Sequence, residues 1–507
     1  MSVSKAIRTH AVSIIFLSLW CGLALAFTSG PLQAAPQLND RSISDAVEDD
    51  LRVDPFVSAH WIDITTSDGI VTLSGRVDNI QSKQRATRIT ETIKGVRAVV
   101  NTIEVQPFEP RSDAAIRDDV KLALLTDPAT DTYEIDVNVE NNTVTLSGTV
   151  NSWQARELCG KVASGVKGVK ELNNSIVFTY DGNRPDKEIR QDIIQALRWD
   201  VLVDHALIDV AVADGHVVLS GIVGSLAEKR RAIRVAYVVN VTEVDTGNLM
   251  VRRWARDPDL KADKYQNIAD ADIEDALQDA LTQDPRVASH PVTVEVRDGR
   301  VTLRGTVDNL KAKRAAGQCA QNTVGVQEVK NRLKVRPQGI YRDEQLEDRI
   351  RQAFRWDPFV NSDEIVVDVQ QGIVDLVGTV DTYLEKIQAE NLASRVNGVV
   401  AVNNHLVVTG DPGLHRYDPF IDDLYAGGFG LFYDPPVTFQ SDAEIKSAIE
   451  DEIYWSPFVD SGDVDVNVYK GQATLTGTVD SLREYRAAAQ NAFDGGAVVV
   501  HNELKVR

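Results

Sequence analysis

Eight histidines, three cysteines and 75 acidic side chains are the groups in this 507-residue chain with chemistry to offer. A helical metal-hydrolase motif needs two histidines at i and i+4. His10, His60, His205, His216, His290, His405, His415 and His501 are scattered, and no two keep that spacing. No Gly-x-Ser-x-Gly elbow, phosphate-cradling Walker loop or Cys-x-x-Cys pair occurs. The acid cluster Asp270, Asp272, Glu274 and Asp275 lacks the Gly and terminal Glu of an EF-hand loop. It reads as charge placed at a helix N-terminus. The expectation is a non-enzymatic protein with no catalytic residue, metal or cofactor. Cys21, Cys159 and Cys319 are too few for a disulfide scaffold. Cys159 and Cys319 read as small, unpaired, buried helix residues, with a disulfide between repeats as the alternative.

The elements that would position any site are written six times. Six strands end in an apolar residue, any residue, then Gly: Val71–Gly75, Val144–Gly148, Val217–Gly221, Val301–Gly305, Ile373–Gly378 and Ala473–Gly477. Such self-similarity marks a repeat architecture. Each strand is preceded by an apolar stripe at i, i+4 and i+8, the face of an α-helix. The stripes run from Ile43/Val47/Leu51 in the first unit to Ile445/Ile449/Ile453 in the last. Asp54-Pro55, Asp127-Pro128, Asp284-Pro285, Asp357-Pro358 and Ser456-Pro457 stop five of these helices. The third has Asp200-Val201, which predicts a helix running slightly further. An alternating strand and a tight turn such as Asp68-Gly69 make a hairpin. The strand-end Gly is expected to let backbone pack closely beneath the next helix. A second helix ends at Gly95, Gly168, Asn240, Gly325, Gly398 or Gly496, where an αL cap prefers Gly and then Asn. A third strand closes the unit. The fold class is therefore α+β: tandem α-β-β-α-β units, two helices on one face of a three-stranded mixed sheet. Units this small are marginal alone, so neighbours should pack together.

The Asp-Pro stop, the Val-Thr-Leu-x-Gly strand, the cap Gly and the final Val-x-Asn-x-Leu-x-Val strand together resemble the BON domain. The resemblance covers 40–106, 112–178, 185–252, 270–336, 342–409 and 441–507. It implies phospholipid binding and support of the cell envelope under osmotic stress, and supplies no catalytic residues to carry over. The rest of the chain reads as a secretory signal peptide over 1–34, a polar linker over 253–269 and a Gly- and aromatic-rich linker over 410–440. The first has basic Lys5 and Arg8, the apolar run Ala11–Phe27, and small residues at Ala24-Leu25-Ala26 and Leu32-Gln33-Ala34-Ala35. Export places the mature protein in the periplasm.

Charge bounds the partners. Bases number 54 against 75 acids, a net of −21, which argues against nucleic acid. Within units the charge is segregated. First helices are acidic, and second helices are basic at Lys83, Arg85, Arg88, Lys229, Arg230, Arg231, Arg234, Lys311, Lys313 and Arg314. They read as ordinary mixed surface charge, as candidate contacts to anionic headgroups, or as head-to-tail contacts between acidic and basic helices. Trp356/Phe359 and Trp455/Phe458, with Trp199 at the same place in unit three, cluster at the ends of first helices. They read either as seals under each unit's own core or as interfacial anchors. A phospholipid membrane surface is the leading partner, and a scaffold or chaperone-like role touching envelope proteins is the alternative.

Overall fold

The computed structural model describes residues 38–180, 182, 184–256, 264–265, 268–409, 441–456, 458–497 and 499–507. The signal-peptide reading and the 410–440 linker fall outside the described residues. Unit one shows the plan: helix α1 (Asp40–Val53), the hairpin β1 (Ile62–Ser67) and β2 (Ile70–Val77), helix α2 (Ile80–Thr92), and a third strand in two pieces, β3 (Ala98–Asn101) and β4 (Glu104–Val105). Strand β2 is central. It runs antiparallel to β1 with Leu73 opposite Ile64, and parallel to β3 and β4. The same plan recurs five times, with first helices α3 (Asp113–Thr126), α5 (Asp186–Trp199), α7 (Asp270–Gln283), α9 (Asp343–Trp356) and α11 (Asp442–Trp455). The second helices are α4 (Trp153–Ser164), α6 (Leu226–Ala236), α8 (Leu310–Gln321), α10 (Tyr383–Ser394) and α12 (Leu482–Asp494). Every stripe residue of the six first helices is buried.

Three local devices fix each unit. The first residue of the first helix is Asp in all six, and its carboxylate accepts the two backbone N–H groups of the hairpin turn 28 and 29 residues on. Asp40 takes Asp68 and Gly69, and Asp113 takes Asn141 and Asn142. Asp186, Asp270, Asp343 and Asp442 repeat it. One carboxylate thus ties helix to hairpin while sitting at the positive end of the helix dipole. The second device is the Asn of the third strand. Asn101 Nδ2 donates to the Lys83 carbonyl of the second helix, and its Oδ1 accepts from Ile103 N. Asn174, Asn331, Asn404 and Asn502 do the same. Unit three has Thr246 there. Lys229 Nζ replaces the missing amide by donating to the carbonyls of Thr246 and Leu249.

The third device is the strand-end Gly, and here the structure corrects the expectation. The close approach is not beneath the next helix. It is to the carbonyl just ahead of the first strand: a Cβ on Gly378, at φ +139°, would stand 2.0 Å from Glu364 O. A second correction concerns unit three. Helix α5 stops at Trp199, in step with the others, although no proline follows. Asp200 accepts the N–H of Leu202 through its side chain, the turn that Asp54, Asp127, Asp284 and Asp357 also make. That side-chain competition with the helical backbone ends the helix; proline is redundant. The cap Asn240 sits at φ +73°, beside the glycines of the other units.

Residues Leu38–Arg507 form a single compact body, and one hydrophobic core runs through units two and five together. Asp113→Ala should lower unfolding stability by about 1–2 kcal/mol, the worth of charge-assisted bonds that are partly exposed. Asp113→Asn should recover part of it. Urea unfolding measures both, and an unchanged midpoint in the Ala variant would remove the tie between helix and hairpin.

Candidate functional site

Five first helices end on Asp; Asp54, Asp127, Asp200 and Asp357 are buried and Asp284 nearly so, and a buried carboxylate must find a partner. The partner position lies 31 residues on, in the second helix. Arg85 meets Asp54 and Arg231 meets Asp200 through short guanidinium bonds. In unit five it is Gln388, which donates to Asp357 at 2.7 Å. An amide offers no charge, and burial pushes the Asp357 carboxyl up to about 6. Unit four has Ala315 there, and Arg286 wraps back onto Asp284 instead. Unit six has Ala487, but its helix ends on neutral Ser456.

Unit two has Leu158 at the partner position, and its cations come from elsewhere in the chain. Lys311 of unit four reaches Asp127 at 2.6 and 2.8 Å, and Arg395 of unit five at 3.1 Å. Lys311 and Asp127 are both almost fully buried. The Asp127 carboxyl is held below its ordinary range: burial works against ionisation, and the two cations outweigh it. Burial pushes the Lys311 ammonium down to about 8 against the carboxylate's pull.

The tryptophans make the second set of joints, and the reading of them as seals of their own units alone is too narrow. Each docks on another unit. Trp199 packs on the core of unit four, and its carbonyl accepts Val324 N. Trp356 is buried in the core shared with unit two, and its carbonyl accepts Lys167 N. Trp455 packs on the core of unit one, where Lys94 donates to Tyr454 O and lies 3.8 Å over the Tyr454 ring. The donor residues Val324, Lys167 and Lys94 each immediately precede a cap Gly. Phe359 stacks on Phe56 of unit one, with centroids 3.9 Å apart; Phe458 packs on the core of its own unit.

The basic second helices are turned inward, and this corrects their reading as a headgroup surface. Arg230 pairs with Glu91 of unit one, and Arg314 with Glu390 of unit five. Arg85, Arg231 and Lys311 hold buried carboxylates, and Lys229 holds its own third strand. Arg88 and Arg234 line a cavity. Lys83 and Lys313 remain half-exposed.

That cavity, a cleft of about 940 Å³ partly open to solvent, is lined by units one to four. Trp153, stacked on Tyr237 with centroids 4.2 Å apart, and Trp199 stand in its wall with Leu158, Leu172 and Val235. Its described lining carries seven bases and five acids in a chain of net charge −21. Burial pushes the Glu157 carboxyl up, and pushes the Cys319 thiol well up, so the thiol is a poor nucleophile. Guanidinium groups beside indole and aliphatic walls can bind anions. Cys159 and Cys319 are unpaired, as expected, the first buried and the second half-buried. The sequence carries signals for much of this. The Asp at each helix start recurs six times, and Arg, Arg and Gln stand 31 residues after the terminal Asp in units one, three and five.

With this geometry in hand, comparison with known proteins defines the class: the chain belongs to the BON domain family, which matches residues 39–107, 112–180, 185–253, 269–337, 342–410 and 441–507. Two relatives are similar over parts of it. Osmotically-inducible protein Y of Escherichia coli strain K12 is 29% identical over 143 residues, 27% of this chain and 71% of that protein. Outer membrane lipoprotein DolP of Haemophilus influenzae is 27% identical over 163 residues, 31% of this chain and 83% of that protein. The solved C-terminal domain of CdsD, a structural protein of the Chlamydia trachomatis type III secretion system, matches 42% of this chain and all of that domain at 13% identity. Its TM-score of 0.12 is too low to bear on the fold.

Lys311→Met leaves Asp127 buried with Arg395 alone, and should cost about 3 kcal/mol in urea unfolding. Adding Asp127→Leu should return much of that loss, since the uncompensated charge is then gone; no recovery would refute the cause. Glu91 supplies a pH test. Burial pushes its carboxyl up to about 7 against the pull of Arg230. The folded protein then holds that proton more tightly than the unfolded chain does. Its contribution is present below about 4.5 and is lost as pH rises to about 7. Thermal midpoints of Glu91→Gln should fall less steeply across that window than those of the parent.

Proposed function

We propose that this protein is a non-enzymatic, exported component of the bacterial envelope that associates with phospholipid surfaces and supports the envelope under osmotic stress. The family match carries the reading: six BON units make up most of the chain, and the relatives are an osmotically inducible protein and an outer-membrane lipoprotein. The N-terminal sequence supports export. The geometry sets the strength of the contact. With most of these basic side chains engaged within or between units or along the cleft, Lys83 and Lys313, half-exposed, are the cations of the sequence set left to meet a headgroup. At about 1 kcal/mol each near an anionic surface they give weak binding, opposed by the overall negative charge.

A second reading, a scaffold for envelope proteins, is favoured by the outer sheet face of unit five. There Val366, Val377 and Val407 are 62%, 50% and 59% exposed, where the equivalent faces of other units are mainly polar. Co-sedimentation of the mature protein with phosphatidylglycerol-containing vesicles at low salt decides between them. A pelleted fraction that falls with added salt, and falls further in Lys83→Ala/Lys313→Ala, is expected. Background pelleting, with capture of envelope proteins in the absence of vesicles, would replace the lipid reading with the scaffold.

A further inference from the structure

We infer that unit three keeps an open copy of the dock that the tryptophans use elsewhere in the molecule, and that it takes a tryptophan of another polypeptide. The three docks in use share their parts: a helix-end Trp seated on another unit, a main-chain carbonyl at that helix end, and a donor on the residue just before the αL cap. Val324 N donates to Trp199 O at 2.9 Å, Lys167 N to Trp356 O at 2.7 Å, and Lys94 Nζ to Tyr454 O at 3.0 Å. Two related units facing one another can make such a contact twice, once in each direction. Units three and four make it once. Trp199 sits on unit four, and beside it Val201 N donates to Asn322 O. In the reverse direction Gln283 stands at the Trp position and Pro285 at that of Val201, and proline has no N–H to give. Val239, the residue before the cap Asn240, is 42% exposed where Val324 is 1% exposed. Among the described residues, the Val239 N–H has no partner.

Val239 and Gln283 line the same cleft, partly open to solvent. Ala276 and Ala280 of α7 present small side chains to it, and Trp153 and Trp199 give it aromatic walls. An indole buries well against such walls, while the carbonyl of the same residue can accept the Val239 N–H. The open side admits a loop or helix end of a partner. Ion pairs around the cleft are already made: Arg184 with Asp192, Arg231 with Asp200 and Arg286 with Asp284. Recognition therefore rests on the apolar wall and one amide. The corresponding positions of units five and six are engaged. Asn397 Nδ2 donates to Asp131 of unit two at 2.6 Å, and a Cβ on Gly495 would stand 2.6 Å from Ile449 of its own first helix.

The test uses the mature full-length protein and a fluorescein-labelled Arg-Trp-Asp-Pro-Phe amide, the sequence of residues 355–359, read by fluorescence anisotropy. Saturable binding near one peptide per chain is expected, displaced by N-acetyltryptophanamide. Indole, which has no carbonyl, should displace it at least tenfold less well, and the peptide with Ala for Trp should bind at least tenfold more weakly. Gln283→Trp supplies the reverse contact from within the chain and Ala280→Phe fills the wall; each should weaken binding at least tenfold, and Gln283→Trp should also raise the thermal midpoint. Circular dichroism establishes that both variants fold. Parental affinity in the folded variants would overturn the site. Equal binding of the Ala peptide, or displacement by indole as effective as by N-acetyltryptophanamide, would overturn recognition of a tryptophan residue. Self-association of the parent that the peptide abolishes would give the dock to a second copy and overturn the separate partner, and no saturable binding would overturn the whole inference. Vesicle sedimentation is a separate measurement, so this inference and the lipid reading can fail independently.

Discussion

The architecture turns on a carboxylate that cannot reach water. Ending the first helix with Asp stops the helix cleanly, because the side chain captures the N–H two residues on, but it also buries a charge. Units one and three answer it from within, with Arg85 and Arg231. Unit two has Leu158 where the cation should be, and its Asp127 is neutralised by Lys311 and Arg395 from units 184 and 268 residues away in sequence. A buried ion pair is weak evidence for net stability. Here its role is specification: unit two can bury that carboxylate only when units four and five are seated on it.

The tryptophans act in the same way through packing. Units three, five and six each carry a Trp at the end of the first helix, and each inserts it against a unit that lacks one. Val53, Thr126 and Gln283 stand at the matching positions of units one, two and four. Three Trp-bearing units thus meet three that have none, each through the residue just before the cap Gly: by its main-chain N–H at Val324 and Lys167, and by its side chain at Lys94. Small domains with little core of their own gain stability by sharing burial, and the continuous core of units two and five is the direct result.

The inward turn of the basic helices follows from these joints and changes what the surface offers. Most of the cations that would have made a membrane-facing stripe on an isolated unit are held by groups of their own unit, paired between units, or gathered along an inter-unit cleft. The acidic first helices keep their charge toward solvent on the face away from the stripe.

Within each unit the sequence determined nearly everything: the helix stripes, the turns, the αL caps and the order of strands are local, and local patterns repeated six times are legible. It misjudged only the contact of the strand-end Gly and the end of α5, the first settled by a close backbone approach and the second by a side-chain hydrogen bond. The relations between units were decided by tertiary structure alone. Lys311 looks like any helix-surface lysine, and Trp356 like any seal of its own core, because charge and apolarity along a chain do not say which neighbour will meet them. The missing partner at Leu158 was written in the sequence. That Lys311 and Arg395 supply it could only come from the fold, since ion pairing depends on distance in space, and residues hundreds of positions apart share no local pattern.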